Sequence, residues 1–184
     1  HGGPGILGGE GIDAKDGSSN GKVYKNYVHH TNRLGIYVDA WDKHTYNIEV
    51  FQNIVHDCAD DGFVVASEAG GLLENIRVYN NVAYNNKYAG ITIAGWGEPV
   101  PEHPMKDIKV INNVFYNNGS GDWGGGISLE NPDVKNLVIR NNICSQNLLF
   151  QILVEVSVQN LTVDHNLIDG YRGYPGEIYG SDYV

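Results

Sequence analysis

Apolar and polar residues alternate along this chain in short runs that return at near-regular intervals. Ile48/Val50, Ile76/Val78, Ile108/Val110, Leu137/Ile139 and Leu161/Val163 are apolar, and Glu49, Arg77, Lys109, Val138 and Thr162 lie between them, four of the five polar. That is the period of a strand with one face buried and one wet. The repeating unit is clearest from Glu74 to Gly95, where three β-type runs follow one another: Ile76–Tyr79, Val82–Tyr84 and Gly90–Ala94. An Asn closes the first run at Asn26, Asn53, Asn81, Asn113, Asn142 and Asn166, and a Gly opens the third at Gly35, Gly62, Gly90 and Gly126, with Gly11 as an earlier member. Successive Asn positions are 24 to 32 residues apart, and the differences fall in the turns, where length is free to vary.

No run is long enough to bury a face alone, so each needs a copy of itself above and below. One run per side, three sides per copy and no helical period predict an all-β solenoid of about six three-stranded coils. Its strands pair in parallel between successive copies, and an Asn ladder stacks along one corner. Gly35, Gly62, Gly90 and the Asn series are similar to the pattern of the right-handed parallel β-helix superfamily, which includes pectate lyases and polygalacturonases. The resemblance spans roughly 11–170 and implies that fold, on which many chemistries are built.

The 184 residues suit one domain, 1–184, with a Tyr- and Gly-rich non-repeat tail at 171–184. The chain opens on a turn-like His-Gly-Gly-Pro-Gly with nothing amphipathic to cover the first coil. That predicts a piece of a longer β-helix, or end-to-end self-association through uncapped coils. A net charge of −10 argues against nucleic acid and anionic membranes as partners. No apolar run approaches the roughly 20 residues of a membrane span. Cys58 and Cys144 fall three coils apart, roughly 14 Å at strand spacing, too far for a disulfide. Both are expected as free thiols.

Long turns flank the third run, so its outer face is expected to form the floor of an exposed trough. In-register stacking gives one outward column of Asp13, Tyr37, Val64, Thr92, Ser128 and Leu153 and a second of Lys15, Asp39, Ala66, Ala94, Glu130 and Glu155. Acidic groups crowd the first three coils. Asp13 and Asp39 would have Cα atoms roughly 8 Å apart, within the range of about 6.5–9.5 Å over which an inverting glycosidase holds its carboxyl pair. Elimination from a uronic acid would instead use Lys15 or Arg33 as base. Ca²⁺ would then be held by carboxylates drawn from Asp57, Asp60, Asp61 and Glu68. Lys15 beside Asp39 and Arg33 beside Asp60 also read as plain ion pairs. Trp41, Trp96 and Trp123, with Tyr37, suit stacking on sugar rings, or pin the long loops. His29 and His56 occupy equivalent positions and read as part of a side-chain stack.

Asp60-Asp61-Gly62-Phe63 resembles the Asp-Asp-Gly-Phe-Asp stretch of family nine pectate lyases, whose aspartates bind calcium; Val64 replaces the last of them here. The Gly-His-Gly and Arg-Ile-Lys motifs of polygalacturonases and the Arg-rich signature of family one pectate lyases are missing. The resemblance thus implies a polysaccharide or oligosaccharide partner, cleavage by hydrolysis or elimination, and a secreted or cell-surface setting. A non-catalytic carbohydrate-binding module and a structural segment are the alternatives.

Overall fold

The computed structural model describes residues 8–120 and 122–173; the opening turn at 1–5 and most of the expected tail lie outside the described residues. The chain winds through three parallel sheets, and each coil contributes one strand to each of them. Sheet one holds Ile12–Ala14, Ile36–Ala40, Phe63–Ser67, Ile91–Gly95, Gly125–Leu129 and Phe150–Val154. Sheet two holds Ser19–Tyr24, Thr45–Phe51, Leu73–Tyr79, Met105–Ile111, Val134–Arg140 and Gln159–Asp164. Sheet three holds Tyr27–His29, Ile54–His56, Val82–Tyr84, Val114–Tyr116, Ile143–Asn147 and Leu167–Tyr171. The expected register holds: Asp13 pairs with Tyr37, Tyr37 with Val64, Val64 with Thr92, Thr92 with Ser128 and Ser128 with Leu153.

The core is one apolar column. Ile36, Val65, Ile93 and Ile127 from sheet one, Ile48, Ile76, Ile108 and Leu137 from sheet two, and Val55, Ala83, Phe115 and Cys144 from sheet three share it, all essentially inaccessible. Fully burying a side chain such as Ile or Leu stabilises by about 1.5–3 kcal/mol, and stacking lets each coil do so against two neighbours. Room is short where the Gly column enters sheet one. A Cβ on Gly90 would lie 2.4 Å from a ring carbon of Phe115 and 2.8 Å from the Gly126 carbonyl oxygen. Cys58 and Cys144 are both free and buried, as their spacing implies, and burial pushes the Cys144 thiol up to about 12.

Corners explain the abundance of Asn. The residue before each ladder Asn (Lys25, Gln52, Asn80, Asn112, Asn141 and His165) has left-handed backbone. So does a second set at the exit of sheet three: His30, Asp57, Asn85, Asn117 and Gln146. A third bends the sheet-two strands at Asn20, Asn47, Asn75, Asp107, Asn136 and Asn160. Asn tolerates that region better than most residues with a Cβ. The ladder itself turns inward: Asn53 Nδ2 donates to Asn81 Oδ1 at 3.0 Å, Asn81 Nδ2 to Asn113 Oδ1 at 3.0 Å and Asn113 Nδ2 to Asn142 Oδ1 at 3.1 Å. Each Oδ1 also accepts the ladder backbone N–H of the preceding coil. A second ladder of Asn86, Asn118 and Asn147 runs the same way at the exit of sheet three.

Candidate functional site

Sheet one places its outward columns as the alternation predicts, but the trough is not open. Tyr37, Val64, Ala66 and Ala94 form a second buried apolar cluster with Leu34, and Trp96 packs on it. Asp39 has no accessible surface at all. Period-two patterning identifies the outer face; it does not show how much of that face is buried. The turns after the second and third strands of the sheet pair with each other: the amides of Ala69 and Gly71 both donate to the Trp41 carbonyl, at 2.8 and 2.9 Å.

Within that covered strip, coils one to three bring together Lys15, Tyr37, Asp39 and Glu68, with Asp13 exposed beside them. Lys15 Nζ lies 2.6 Å from Asp39 Oδ2 and 3.9 Å from Glu68 Oε1. The same ammonium sits over the rings of Tyr37 and Trp41, 5.3 and 5.6 Å from their centroids. The Tyr37 hydroxyl donates to Glu68 Oε1. Among the described residues Asp39 Oδ1 has no hydrogen-bond partner although it is buried. Desolvation by burial raises the Asp39 carboxyl to about 7, against the opposing pull of Lys15 and with a further upward push from Glu68. Burial also lifts Asp13, and Lys15 opposes that shift in turn. Lys15 is itself raised: desolvation is the largest single effect and lowers it, but the bond to Asp39 and the charges of Asp39, Glu68 and Asp13 together outweigh it. It stays protonated at neutral pH, which suits a cation that receives an oxygen and not a base.

The other expected site residues divide. Arg33 forms an ion pair with Glu10 at 2.8 Å, and its charge also acts on Asp60, whose carboxyl is raised by desolvation and pulled back by the Asp61 amide and Arg33. Asp60 accepts the Asp61 amide at 3.1 Å. Asp61 is buried and accepts the Ala89 amide at 2.6 Å, and desolvation raises its carboxyl well above the usual range. Glu68 is engaged by Tyr37. These three carboxylates are each held by a different partner, and among the described residues no three His, Cys, Asp or Glu side chains come together as a metal site. Trp41, Trp96 and Trp123 are all half-buried on turns flanking sheet one. The Trp96 indole N–H donates to Glu130 Oε2 at 3.4 Å, and Trp123 lies 5.1 Å from the Phe150 ring. His29 and His56 stack at 5.2 Å, and His56 stacks on Tyr84 at 4.6 Å. The equivalent positions predicted that column; the bond of His56 Nε2 to the Tyr27 hydroxyl at 2.8 Å had no sequence signal.

Fold and site together define a parallel β-solenoid with a covered, acid-rich strip on one sheet. The chain belongs to the right-handed β-helix family, whose model ("Right handed beta helix region") matches residues 6–103. A second model, described as "Disaggregatase related", matches residues 73–173, so the chain belongs to that family too. No curated protein and no solved structure matches it.

Proposed function

We propose that this β-helix acts on polysaccharide and cleaves glycosidic bonds at coils one to three of sheet one, by hydrolysis. One observation carries the reading: burial holds Asp39 near neutrality, where a carboxyl can both give and take a proton, beside the raised carboxyl of Asp13. In this scheme exposed Asp13 protonates the leaving oxygen. Asp39, whose Oδ1 has no partner among the described residues, takes the proton of the attacking water. Lys15 and the half-buried Trp41 position the sugar. The Cα spacing expected from one coil and two residues, about 8 Å, is compatible with the carboxyl separation of an inverting pair. The second family description names a disaggregatase, an activity that by its name takes aggregates apart; an extended polymer joining particles is the kind of substrate that stacked coils would hold.

A second reading, a carbohydrate-binding surface without turnover, is favoured by the burial of Asp39. Its carboxylate meets a sugar only when the groups that bury it move aside. Incubation with a panel of neutral and acidic polysaccharides separates the two. New reducing ends without an ultraviolet-absorbing product mean hydrolysis, and retention without new ends means binding alone. Neither retention nor new ends would remove both readings.

A further inference from the structure

The outer face of sheet two carries a feature that the sheet-one site does not use. Tyr24, Phe51 and Tyr79 occupy one register column and stack face to face, with centroids 5.0 Å apart in both pairs and ring planes within 6° and 7° of parallel. The stack stops at the next coil, where Ile111 pairs with Tyr79. One face of the Tyr79 ring lies against Phe51, so the other looks over Ile111. A hollow of about 320 Å³ opens there, lined by Glu49, Arg77, Tyr79, Lys109, Ile111 and Asn112. That is at the lower end of the roughly 300–1,000 Å³ typical of small-ligand sites.

The charges around the hollow are unbalanced. Arg77 and Lys109 are cross-strand neighbours in one outward column, an arrangement of like charges that costs stability. Neither forms an ion pair or hydrogen bond among the described residues. Glu49, the cross-strand neighbour of Arg77 on the other side, accepts from the Tyr79 hydroxyl at 2.9 Å and lies 3.7 Å from Lys22 Nζ. Two adjacent cations are thus left beside an aromatic face on a protein of net charge −10.

We propose that this hollow binds an anionic sugar, whose apolar face packs against Tyr79 beside Ile111 and whose carboxylate or sulfate bridges Arg77 and Lys109. The apolar face of a pyranose suits the ring, and a fork of guanidinium and ammonium donors suits a multi-oxygen anion. The site is separate from the sheet-one cluster and stands whether or not that cluster is catalytic.

The test follows amide resonances of the whole protein while methyl glucuronide, galactose sulfate or the neutral methyl glucoside is added. Either anion or both should shift residues 77–79 and 109–112, and the neutral sugar should not; the anion that binds more tightly identifies the acidic group. Arg77→Gln and Lys109→Gln should each weaken binding roughly tenfold. Ile111→Phe should continue the stack, fill the hollow and abolish binding in a folded protein, whereas Asp39→Asn should leave it unchanged. The proposal is overturned if neither anion shifts these residues, if the neutral sugar shifts them equally, if the shifts map to sheet one, or if Ile111→Phe binds normally.

Discussion

Replacing Lys15 by Met tests the electrostatics of the sheet-one strip in a way that a merely structural lysine would fail. The substitution keeps the length of the stem and removes the charge 2.6 Å from Asp39 Oδ2. Removing one partner of a fully buried pair costs about 3–5 kcal/mol. The Lys15 side chain is 42% exposed, so water already screens part of the attraction and about 2 kcal/mol is the better expectation. The penalty must depend on pH. Asp39 has a folded pKa of about 7 against an ordinary value of 3.8, so its contribution is fully present below about pH 4 and is lost as the pH rises through about 7. At about 1.4 kcal/mol per unit, losing Lys15 moves the upper limit of that loss about 1.5 units higher. Urea unfolding followed by Trp fluorescence should therefore show a penalty of about 0.5 kcal/mol near pH 4 and about 2 kcal/mol near pH 9. An equal penalty at the two pH values, or a larger one in acid, would refute the assignment of Asp39 as the buried, near-neutral carboxyl.

Three further outcomes follow from the same contacts. Asp39→Asn should lower turnover of a cleaved polysaccharide about a hundredfold or more with unfolding unchanged or improved near pH 8, measured by reducing-end assay and urea titration; full turnover would remove Asp39 from the mechanism. Asn81→Ala strips partners from the Asn53 amide and the Val50 carbonyl, both at buried residues. It should cost about 2–5 kcal/mol in denaturant unfolding, against under about 1 kcal/mol for the exposed Asn160→Ala. Gly90→Ala forces a Cβ into the Phe115 ring and the Gly126 carbonyl; a loss of about 1–3 kcal/mol or more is expected, read from the thermal midpoint.

The coil was legible because its signals are local and periodic. Asn53, Asn81, Asn113 and Asn142 recur at one point of every repeat, and the in-register pairing of Asp13, Tyr37 and Val64 followed from aligning Gly11, Gly35 and Gly62. The second ladder was not legible. Thr31 and Cys58 hold its place in the early coils, and its spacing from the Gly column jumps at Asn118 because an insertion intervenes before Gly126. The covering of Asp39 escaped for another reason: alternation records which way a side chain points, while long turns such as Trp41–His44 and Glu68–Leu72 carry no period to say where they lie. The ion pair of Arg33 with Glu10, beyond its action on Asp60, was not legible because a long side chain reaches acceptors in two coils, and which it touches is settled by geometry at the ångström scale. Tyr24, Phe51 and Tyr79 each stand two residues before a ladder Asn, and that spacing could have shown the stack.

The inner row of carboxamides has a direction. From Asn26 to Asn142 each side-chain nitrogen donates to the side-chain oxygen of the next ladder Asn, and from Asn53 on it also donates back to a backbone carbonyl of the preceding coil, so the carboxamides lie head to tail, like magnets on a rod. Such a row polarises as a unit. A single Asp in the middle would set two acceptors against each other, and the disturbance would be felt on both sides of the break, beyond the coil that carries it.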